Sequence, residues 1–312
     1  MGIWDEREEY AGLPVFRFDQ ERLGADAADL PDLPAAGAAA WRVTSDFDEE
    51  RFDDVWEMFR ASVDTTEVTA LLIGYWGESD DVTYPALLLA EAAASFPKLD
   101  SLFFGEITAG ESEISWIVHG DISPIVRAFP GLRRLDVRGS DGLVFEPFES
   151  DALEVLRFES GGLPASTVRT VAACGLPNLR RLDLWIGVNA YGGDVSMDDL
   201  APVLSGERFP SLRHLGLENA EWQDEIAAAV AAAPVVARLE SLGLARGMLT
   251  DTGAEALLSG QPLTHLRRLD LHHHFLSDAM MARLRNALPG VEIDLGDQGD
   301  PEGAYFYVQV AE

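Results

Sequence analysis

The pattern Leu-x-x-Leu-x-Leu recurs along most of the chain. Its clearest copies are LRRLDV, LRRLDL, LRHLGL, LESLGL and LRRLDL, which begin at Leu132, Leu179, Leu212, Leu239 and Leu266. Degenerate copies begin at Val68, Leu99 and Leu153, and a last segment carries Ile293 and Leu295. The middle apolar residue of each unit falls at positions 71, 102, 135, 156, 182, 215, 242, 269 and 293. Nine units in one register predict a repeat architecture in which each unit packs on its neighbours.

Each unit combines a strand pattern with a helix pattern. The last two leucines of a copy alternate with polar residues, as in a short strand with one buried face. Helical patterns lie between the copies and begin at Pro85, Ala165, Met197, Gln223, Thr252 and Ser277. Adjacent strands are about 4.8 Å apart, whereas packed helices need about 8–10 Å, so the stack must curve. The sequence therefore predicts an α/β solenoid with parallel strands on the concave face and helices on the convex face.

This pattern resembles the leucine-rich repeat family, specifically its ribonuclease-inhibitor-like class, over residues 64–295. The closest stretch runs from Leu239 to Leu271, where L-T-D-x-G-A-x-A-L is similar to the strand-to-helix signature of that class. The family usually has Asn or Cys three residues after the last strand leucine. This chain departs from that pattern, because the equivalent positions hold Ile107, Ser140, Gly161, Gly187, Ala220, Gly247 and His274. The resemblance implies a horseshoe of about nine repeats, and the irregular spacing is similar to that of bacterial stand-alone repeat proteins.

The sequence predicts three regions: an N-terminal cap over 1–63, the solenoid over 64–295, and an acidic linker with a tail strand over 296–312. Solenoid ends need caps because each repeat buries apolar faces against both neighbours. Strands are predicted in the cap at VFRF and WRVT, a mobile connection over 23–40, and an amphipathic helix from Phe47. The inward residues of that helix are Phe47, Phe52, Val55, Trp56 and Phe59. The AYFYVQV segment of the tail is predicted to add an edge strand or to contact a partner.

Composition excludes several classes of function. The chain has 54 acidic and 23 basic side chains, and its formal net charge of −31 repels phosphate backbones and anionic lipids. Nucleic acids and membranes are therefore not expected partners. The first ten residues are acidic where a secretion signal is basic and then apolar, which predicts a cytoplasmic protein. A single cysteine, Cys174, forms neither an internal disulfide nor a thiolate zinc cage.

Charged residues collect on the face predicted to be concave. Strand alternation places side chains that flank the inward leucines on that face. The candidate partner-binding residues there are Arg134, Asp136, Arg138, Arg157, Arg181, Asp183, Glu218, Arg268 and Asp270. One interpretation is a lattice of cross-strand ion pairs that holds polar strands together. The other is a charged recognition surface for a protein or peptide, and both interpretations apply to the same residues.

Three unusually long intervals between strands predict loops on one rim, beginning at Gly74, Gly105 and Trp185. Aromatic side chains dominate the energetics of many interfaces. We therefore predict that Trp76, Trp185 and Tyr191 contact a partner. Trp116, within EISWIV, is instead predicted to pack under its own loop.

Histidines near the last repeats raise the alternative of a metal site. The candidate ligands are His214, Glu218, Asp270 and His272, but their spacing matches no established zinc motif. His274 occupies the turn position of its repeat and is predicted to be structural. The acidic GESDD segment from Gly77 lacks the ordered ligand spacing of a calcium loop.

No catalytic residue and no cofactor are predicted. The chain contains no nucleophile elbow, phosphate-binding loop or H-E-x-x-H pair, and Cys174 is expected to be an inert, buried thiol. The sequence therefore predicts a non-catalytic protein-protein interaction module. Two alternatives stay open. One is an accessory subunit that presents a substrate to a modifying enzyme, because some similar bacterial proteins are encoded beside radical-SAM, ATP-grasp and sulfatase-like enzymes. The other is a metal-dependent hydrolase centred on the four candidate ligands.

Overall fold

The structure is a computed structural model that describes residues 3–19, 33–45, 51–77, 83–303 and 305–312. The chain divides into two compact units, Met1–Phe148 and Glu149–Glu312, which we call the N-terminal and C-terminal units. In both units short strands alternate with helices along the chain. None of the helices in the described ranges has the length and apolar character needed to cross a bilayer.

The N-terminal unit contains a mostly parallel sheet. Its strands are β1 (Glu9–Tyr10), β2 (Leu13–Phe18), β3 (Ala40–Val43), β4 (Ala70–Ile73), β5 (Ser101–Phe104) and β6 (Arg134–Arg138), and its helices are α1 (Phe52–Ser62), α2 (Pro85–Ala92) and α3 (Ser123–Ala128). Strand β1 pairs antiparallel with β2, and β2 to β6 pair in parallel in chain order. The two strands predicted within the cap thus continue the sheet of the first repeat.

The C-terminal unit contains an open, parallel sheet. Its strands are β7 (Val155–Glu159), β8 (Arg181–Gly187), β9 (His214–Ala220), β10 (Ser241–Gly243), β11 (Arg268–Asp270) and β12 (Glu292–Asp294), and its helices are α4 (Ala165–Ala173), α5 (Met197–Leu204), α6 (Gln223–Val230), α7 (Asp251–Ser259) and α8 (Asp278–Ala287). These strands also pair in chain order. The five helices predicted in this part of the sequence are confirmed as α4 to α8.

The repeat register predicted from the leucines is confirmed within each unit. The middle residues of successive units lie opposite one another in the sheets, as Leu71, Leu102 and Leu135 in one and as Leu156, Leu182, Leu215, Leu242, Leu269 and Ile293 in the other. All the leucines in these two rows are fully buried. The same row continues upstream to Trp41 and Phe16. Aromatic residues fill the leucine position there, so the leucine pattern did not reveal these units.

Helix caps connect neighbouring repeats in the C-terminal unit. Asp224, in the first turn of α6, accepts hydrogen bonds from the backbone N–H and the hydroxyl of Thr250 at 2.8 and 2.5 Å. Asp251 accepts the same two bonds from Ser277 at 2.8 and 2.7 Å. Thr250 and Ser277 in turn cap α7 and α8 with their side chains. Each capping residue therefore fixes both its own helix and the preceding repeat.

The amphipathic helix predicted near the N-terminus is confirmed as α1. Its residues Phe52, Val55, Trp56 and Phe59 are buried. Phe47 lies outside the described residues, as do positions 23–32 of the predicted connection and positions 78–81 of the acidic GESDD segment. The region boundaries at 63 and 295 stay predictions.

Candidate functional site

Arginines on the strands are held by carboxylates two residues further along the same strand. Residues two apart share a face of a strand, so such a pair forms without help from a neighbour. The pairs and their N–O distances are Arg134 and Asp136 at 2.6 Å, Arg157 and Glu159 at 2.9 Å, Arg181 and Asp183 at 2.5 Å, and Arg268 and Asp270 at 3.3 Å. The predicted lattice of cross-strand ion pairs is thus joined by pairs within single strands. Arg268 also reaches across to Asp294 at 3.2 Å.

In the C-terminal unit we call the residues Arg157, Arg181, Asp183, Glu218, Arg268 and Asp270 the charged face. The Arg181 and Arg268 side chains are 45% and 46% exposed. Asp183 and Glu218 were predicted as surface binding residues, but both are buried. Accessible charge on this face is therefore concentrated on these two arginines, with smaller contributions from Arg157 and Asp270, which are partly buried.

Asp183 is ionised despite its burial. Its Oδ1 lies 2.8 Å from His214 Nε2, and His214 Nδ1 lies 2.6 Å from the Ser241 hydroxyl. Burial by itself raises the pKa of the Asp183 carboxyl. The hydrogen bond with His214 and the nearby Arg181 guanidinium outweigh burial and hold that pKa well below its usual range. Asp183 therefore anchors the face as a fixed negative charge.

Glu218 has the opposite shift. Burial and the negative charge of Asp183 raise the pKa of the Glu218 carboxyl, while Arg246, 3.3 Å away, opposes the rise. Two glycines make room for these carboxylates. A Cβ at Gly216 would collide with Asp183, and a Cβ at Gly243 would lie 2.5 Å from Glu218 Oε1. The glycines in β9 and β10 are thus required by the charged side chains beside them.

Trp185 and Trp76 are buried, so the prediction that they are exposed contact residues is wrong. Trp185 is 1% exposed, and the guanidinium groups of Arg246 and Arg157 lie 4.6 and 5.3 Å from its ring. Trp76 is 8% exposed and stacks on Phe104 with ring centroids 5.4 Å apart. Both indoles are covered by side chains from other repeats, which the strand pattern did not indicate.

The opposite correction applies to Trp116, which is 65% exposed rather than packed under its loop. It ends the short 3-10 helix Ile114–Trp116, and Ile114 and Ile117 take the buried positions on either side. Tyr191 lies at the rim, half-buried, and its hydroxyl donates a hydrogen bond to Glu312. Of the four loop aromatics considered, Trp116 and Tyr191 are therefore the accessible ones.

In the N-terminal unit, Asp136 and Arg138 are buried, which corrects their prediction as surface recognition residues. Asp136 accepts a hydrogen bond from the Tyr10 hydroxyl at 2.9 Å, and Arg134 lies 4.7 Å from the Tyr10 ring. Arg138 donates to the carbonyl oxygen of Ile107 at 2.7 Å. The segment that precedes β2 thus covers this part of the sheet.

The four predicted metal ligands do not come together. His214 is bound to Asp183 and Ser241, and Glu218 pairs with Arg246. Within the described ranges, the group whose ligand atoms lie within 4.8 Å of one another is Asp270, His272 and Asp294. Arg268 lies 3.3 and 3.2 Å from those two carboxylates, so a cation already neutralises them.

The His272 ring is held by Asp270, with Nδ1 2.6 Å from Oδ1. Burial raises the pKa of the Asp270 carboxyl, but hydrogen bonds from His272 and electrostatic interactions with His272 and Arg268 together outweigh burial and lower that pKa. His274 is confirmed as a structural turn residue. It is buried, its Nδ1 accepts from the backbone N–H of Leu276, and its Nε2 lies 3.3 Å from the carbonyl oxygen of Leu295.

A row of residues that the sequence did not reveal lies at or just beyond the carboxyl ends of strands β9 to β12. Asn219, Arg246, His273 and Asp297 have φ values of 62°, 67°, 55° and 57°. Each lies four residues after the middle apolar residue of its repeat. Residues other than glycine rarely adopt this left-handed conformation. The equal spacing was visible in the sequence, but the residue types differ too much to form a motif.

Residues 305–312, which we call the tail, contact this row. Both polar atoms of the Asn219 carboxamide bond the main chain of Val310: Nδ2 donates to its carbonyl oxygen at 2.5 Å, and Oδ1 accepts from its N–H at 3.1 Å. The Gln309 N–H donates to the carbonyl oxygen of Arg246 at 2.8 Å, and His273 Nε2 lies 3.0 Å from the carbonyl oxygen of Tyr307. The tail forms no strand, so the predicted tail strand is wrong.

The fold places the chain among α/β proteins with an open, mostly parallel sheet whose strands follow chain order. No protein-family model and no curated protein matches the sequence. A crystal structure of a Bacteroides fragilis protein, determined as a structural genomics consortium target, is similar with a TM-score of 0.76 and 31% identity. The match covers 82% of this chain and 72% of that chain. The chain therefore belongs to the same family as this Bacteroides fragilis protein.

Proposed function

We propose that the protein is a leucine-rich repeat module of the ribonuclease-inhibitor-like class that binds a protein or peptide partner through the charged face. The observation that carries this proposal is the pair of half-exposed arginines, Arg181 and Arg268, each fixed by a carboxylate in its own strand. Nine repeats centred on the leucine positions account for the shared register of the strands in each unit.

Fixed guanidinium groups suit recognition of a protein surface. A guanidinium that is already oriented loses less side-chain entropy on binding than a free one. Its remaining N–H groups match carboxylates and carbonyl oxygens of a partner. Asp270, half-buried beside Arg268, adds a negative group at the same place. This mixture of charges sets the orientation of a partner and rejects mismatched ones.

The test is affinity capture from a lysate of the source cells, followed by mass spectrometry. The Arg181→Gln/Arg268→Gln variant is compared with wild type and with Arg283→Gln. Arg283 is a matched control because it is exposed, ion-paired with Glu255 and located on α8. We expect a partner that is retained by wild type and by the control and lost by the double variant, with unchanged melting curves. A capture profile that is identical for all three proteins would refute the proposal.

A metal-dependent hydrolase is the second candidate, favoured by the convergence of Asp270, His272 and Asp294. One imidazole and two carboxylates are suitable ligands for Zn²⁺ or Mn²⁺. Arg268 must move away before a metal binds there, because it contacts both carboxylates. Calorimetric titration with Zn²⁺ or Mn²⁺ tests this candidate. Binding that is lost in His272→Ala supports it, and no binding by wild type removes it. The role as an accessory subunit stays a prediction from the sequence.

A further inference from the structure

We propose that the ends of strands β9, β10 and β11 form a groove for an extended peptide, and that the tail occupies this groove as a built-in competitor. The partner is a protein with an exposed segment of the same chemistry as the tail, which displaces it. The strand-end groove comprises Asn219, Arg246, His273 and Phe275. The inference goes beyond the proposed function, because it assigns a second binding site to the same unit, away from Arg181 and Arg268.

The groove recognises the main chain of its occupant. The Asn219 side chain both donates to and accepts from the main chain of Val310. The main-chain carbonyl oxygen of Arg246 accepts from the Gln309 N–H, and the His273 ring lies within hydrogen-bond distance of the Tyr307 carbonyl oxygen. Bonds of this kind hold a polypeptide in an extended form whatever its side chains are. The Asn219 side chain is fully buried and bonded on both sides. The contact between Asn219 and the tail is therefore a buried, fully hydrogen-bonded one rather than a loose contact on the surface.

The spacing of the groove fits an extended chain. Asn219, Arg246 and His273 are each 27 residues apart and lie at the ends of adjacent strands. Two steps between adjacent strands span about 10 Å, at about 4.8 Å each. From Tyr307 to Val310 an extended chain also spans about 10 Å, at about 3.3 Å per residue. Successive repeats thus meet successive parts of the tail without strain in either.

The backbone conformation of the row supports a binding role. Left-handed backbone at residues other than glycine costs energy, and it persists where the side chain has a task. In the N-terminal unit the residue four positions after Leu135 is Gly139, which adopts the same region with a φ of 89°. In the C-terminal unit the equivalent positions hold Asn219 and His273, whose side chains contact the tail. Because the strained backbone at these positions presents side chains that contact the tail, we infer that these side chains serve to bind an extended segment.

Side chains of the tail define the chemistry of the expected partner. Phe306 stacks on Phe275 with ring centroids 4.4 Å apart, and Val308 and Val310 are buried. Between them, the Gln309 side chain contacts Arg246 and lies 3.1 Å from Asp297. The expected segment therefore has an aromatic residue, then two apolar residues at alternate positions with an amide between them.

The tail is suited to displacement. Tyr305 and Tyr307 are exposed, and residues 305–312 add no strand to the sheet. A segment tethered to the same chain competes with a free segment at a high effective concentration, about millimolar for a short linker. A partner segment therefore binds wild type more weakly than it binds a protein whose tail is detached.

The probe is a fluorescent peptide with the sequence of residues 305–312, titrated against the full chain by anisotropy. The Val308→Asp/Val310→Asp variant replaces two buried valines by aspartates. Because burying two carboxylates costs free energy, we expect the tail of this variant to leave the groove. We expect this variant to bind the peptide about tenfold or more tighter than wild type. Adding Asn219→Ala to it is expected to weaken binding about tenfold. Equal affinity of wild type and the detached variant, or no effect of Asn219→Ala, would overturn the inference.

Two further measurements keep the result decisive. Gln309→Ala removes only the side-chain contacts with Arg246 and Asp297, so it loosens the tail without placing charge in the groove. It is expected to bind the peptide with intermediate affinity even if the double aspartate variant unfolds, and affinity equal to wild type would count against the groove. Light scattering of wild type is expected to give a monomer mass. A dimer that is lost in Gln309→Ala would assign the groove to the tail of a second copy and overturn the proposed partner.

The outcomes separate this inference from the proposed function. Arg181 and Arg268 lie at the opposite ends of their strands from the groove, so Arg181→Gln/Arg268→Gln in the detached variant is expected to leave peptide binding unchanged. Partner capture that depends on these arginines, with no peptide binding by the detached variant, would overturn the groove alone. Tight peptide binding without any captured partner would overturn the proposed role of the charged face alone.

Discussion

The Arg246 guanidinium lies over the Trp185 indole, 4.6 Å from the ring centroid, and its Nε is 3.3 Å from the Glu218 carboxylate. Arg246→Met is therefore expected to lower the free energy of unfolding by about 3 kcal/mol, because it leaves the buried Glu218 without this cation. Arg246→Met/Glu218→Gln is expected to recover most of the loss. Urea denaturation measures both. If the double variant is as unstable as the single one, the ion pair is not the source of the loss.

Gly216→Ala is expected to destabilise the protein by about 1–3 kcal/mol, because the added methyl group meets the Asp183 carboxylate. His214 and Arg181 hold that carboxylate in place, so it has little freedom to move away. Gly131→Ala is the matched control, since a Cβ there meets nothing within 4 Å. Thermal denaturation of the two variants should differ clearly. Equal melting temperatures would mean that the charged side chains adapt to the methyl group.

His119 is expected to make the protein less stable in mild acid. It is buried, its Nε2–H donates to the carbonyl oxygen of Arg138 at 2.7 Å, and its Nδ1 accepts from the Tyr84 hydroxyl at 2.9 Å. Burial lowers the pKa of His119 from 6.5 to about 4. Between those values the unfolded chain takes up a proton that the folded protein does not. Stability from this group is therefore complete above pH 6.5 and falls by about 3 kcal/mol as the pH decreases to 4.

The measurement for His119 is urea denaturation of wild type and His119→Gln at several pH values from 7 to 4. Glutamine offers one donor and one acceptor but no charge change in this range. We expect wild type to lose about 3 kcal/mol more than the variant over this interval. Parallel pH profiles for the two proteins would show that folding does not lower the pKa of His119.

The two tryptophans whose exposure was mispredicted make a direct comparison. Trp76→Ala is expected to cost about 3–5 kcal/mol, because it empties a buried position beside Phe104, Tyr84 and His119. Trp116→Ala is expected to change stability by no more than about 0.5 kcal/mol, since its side chain is mostly exposed. Chemical denaturation of both variants tests the assignment. A larger loss for Trp116→Ala would reverse it.

The repeat order and strand register were predictable because they depend on the local leucine pattern. Leu182, Leu215 and Leu242 lie opposite one another as expected. The pattern is blind to substitution by other apolar residues, which is why the units at Phe16 and Trp41 were not recognised as repeats. Periodicity reports the face of a strand on which a residue lies and reports nothing about what covers that face.

Burial of the site residues depended on contacts between distant parts of the sequence. Trp185 is covered partly by Arg246, 61 positions further along by sequence number, and Asn219 meets Val310 across 91 positions. The four predicted metal ligands did not come together for a related reason. His214 and Glu218 each have a closer charged partner, Asp183 and Arg246, than any shared cation site offers. Sequence spacing predicted that these residues lie near one another, but it did not predict which neighbouring charged group each of them would bind.

The ion pairs within single strands have an evolutionary consequence. Arg134, Arg157 and Arg181 are each neutralised by a carboxylate two residues along the same strand. Duplication of one of these repeats would add both members of a pair together, and loss of the repeat would remove both. Its neighbours would keep their own counter-charges. Such a family can change its length by whole repeats while the charge balance of the remaining strands is preserved.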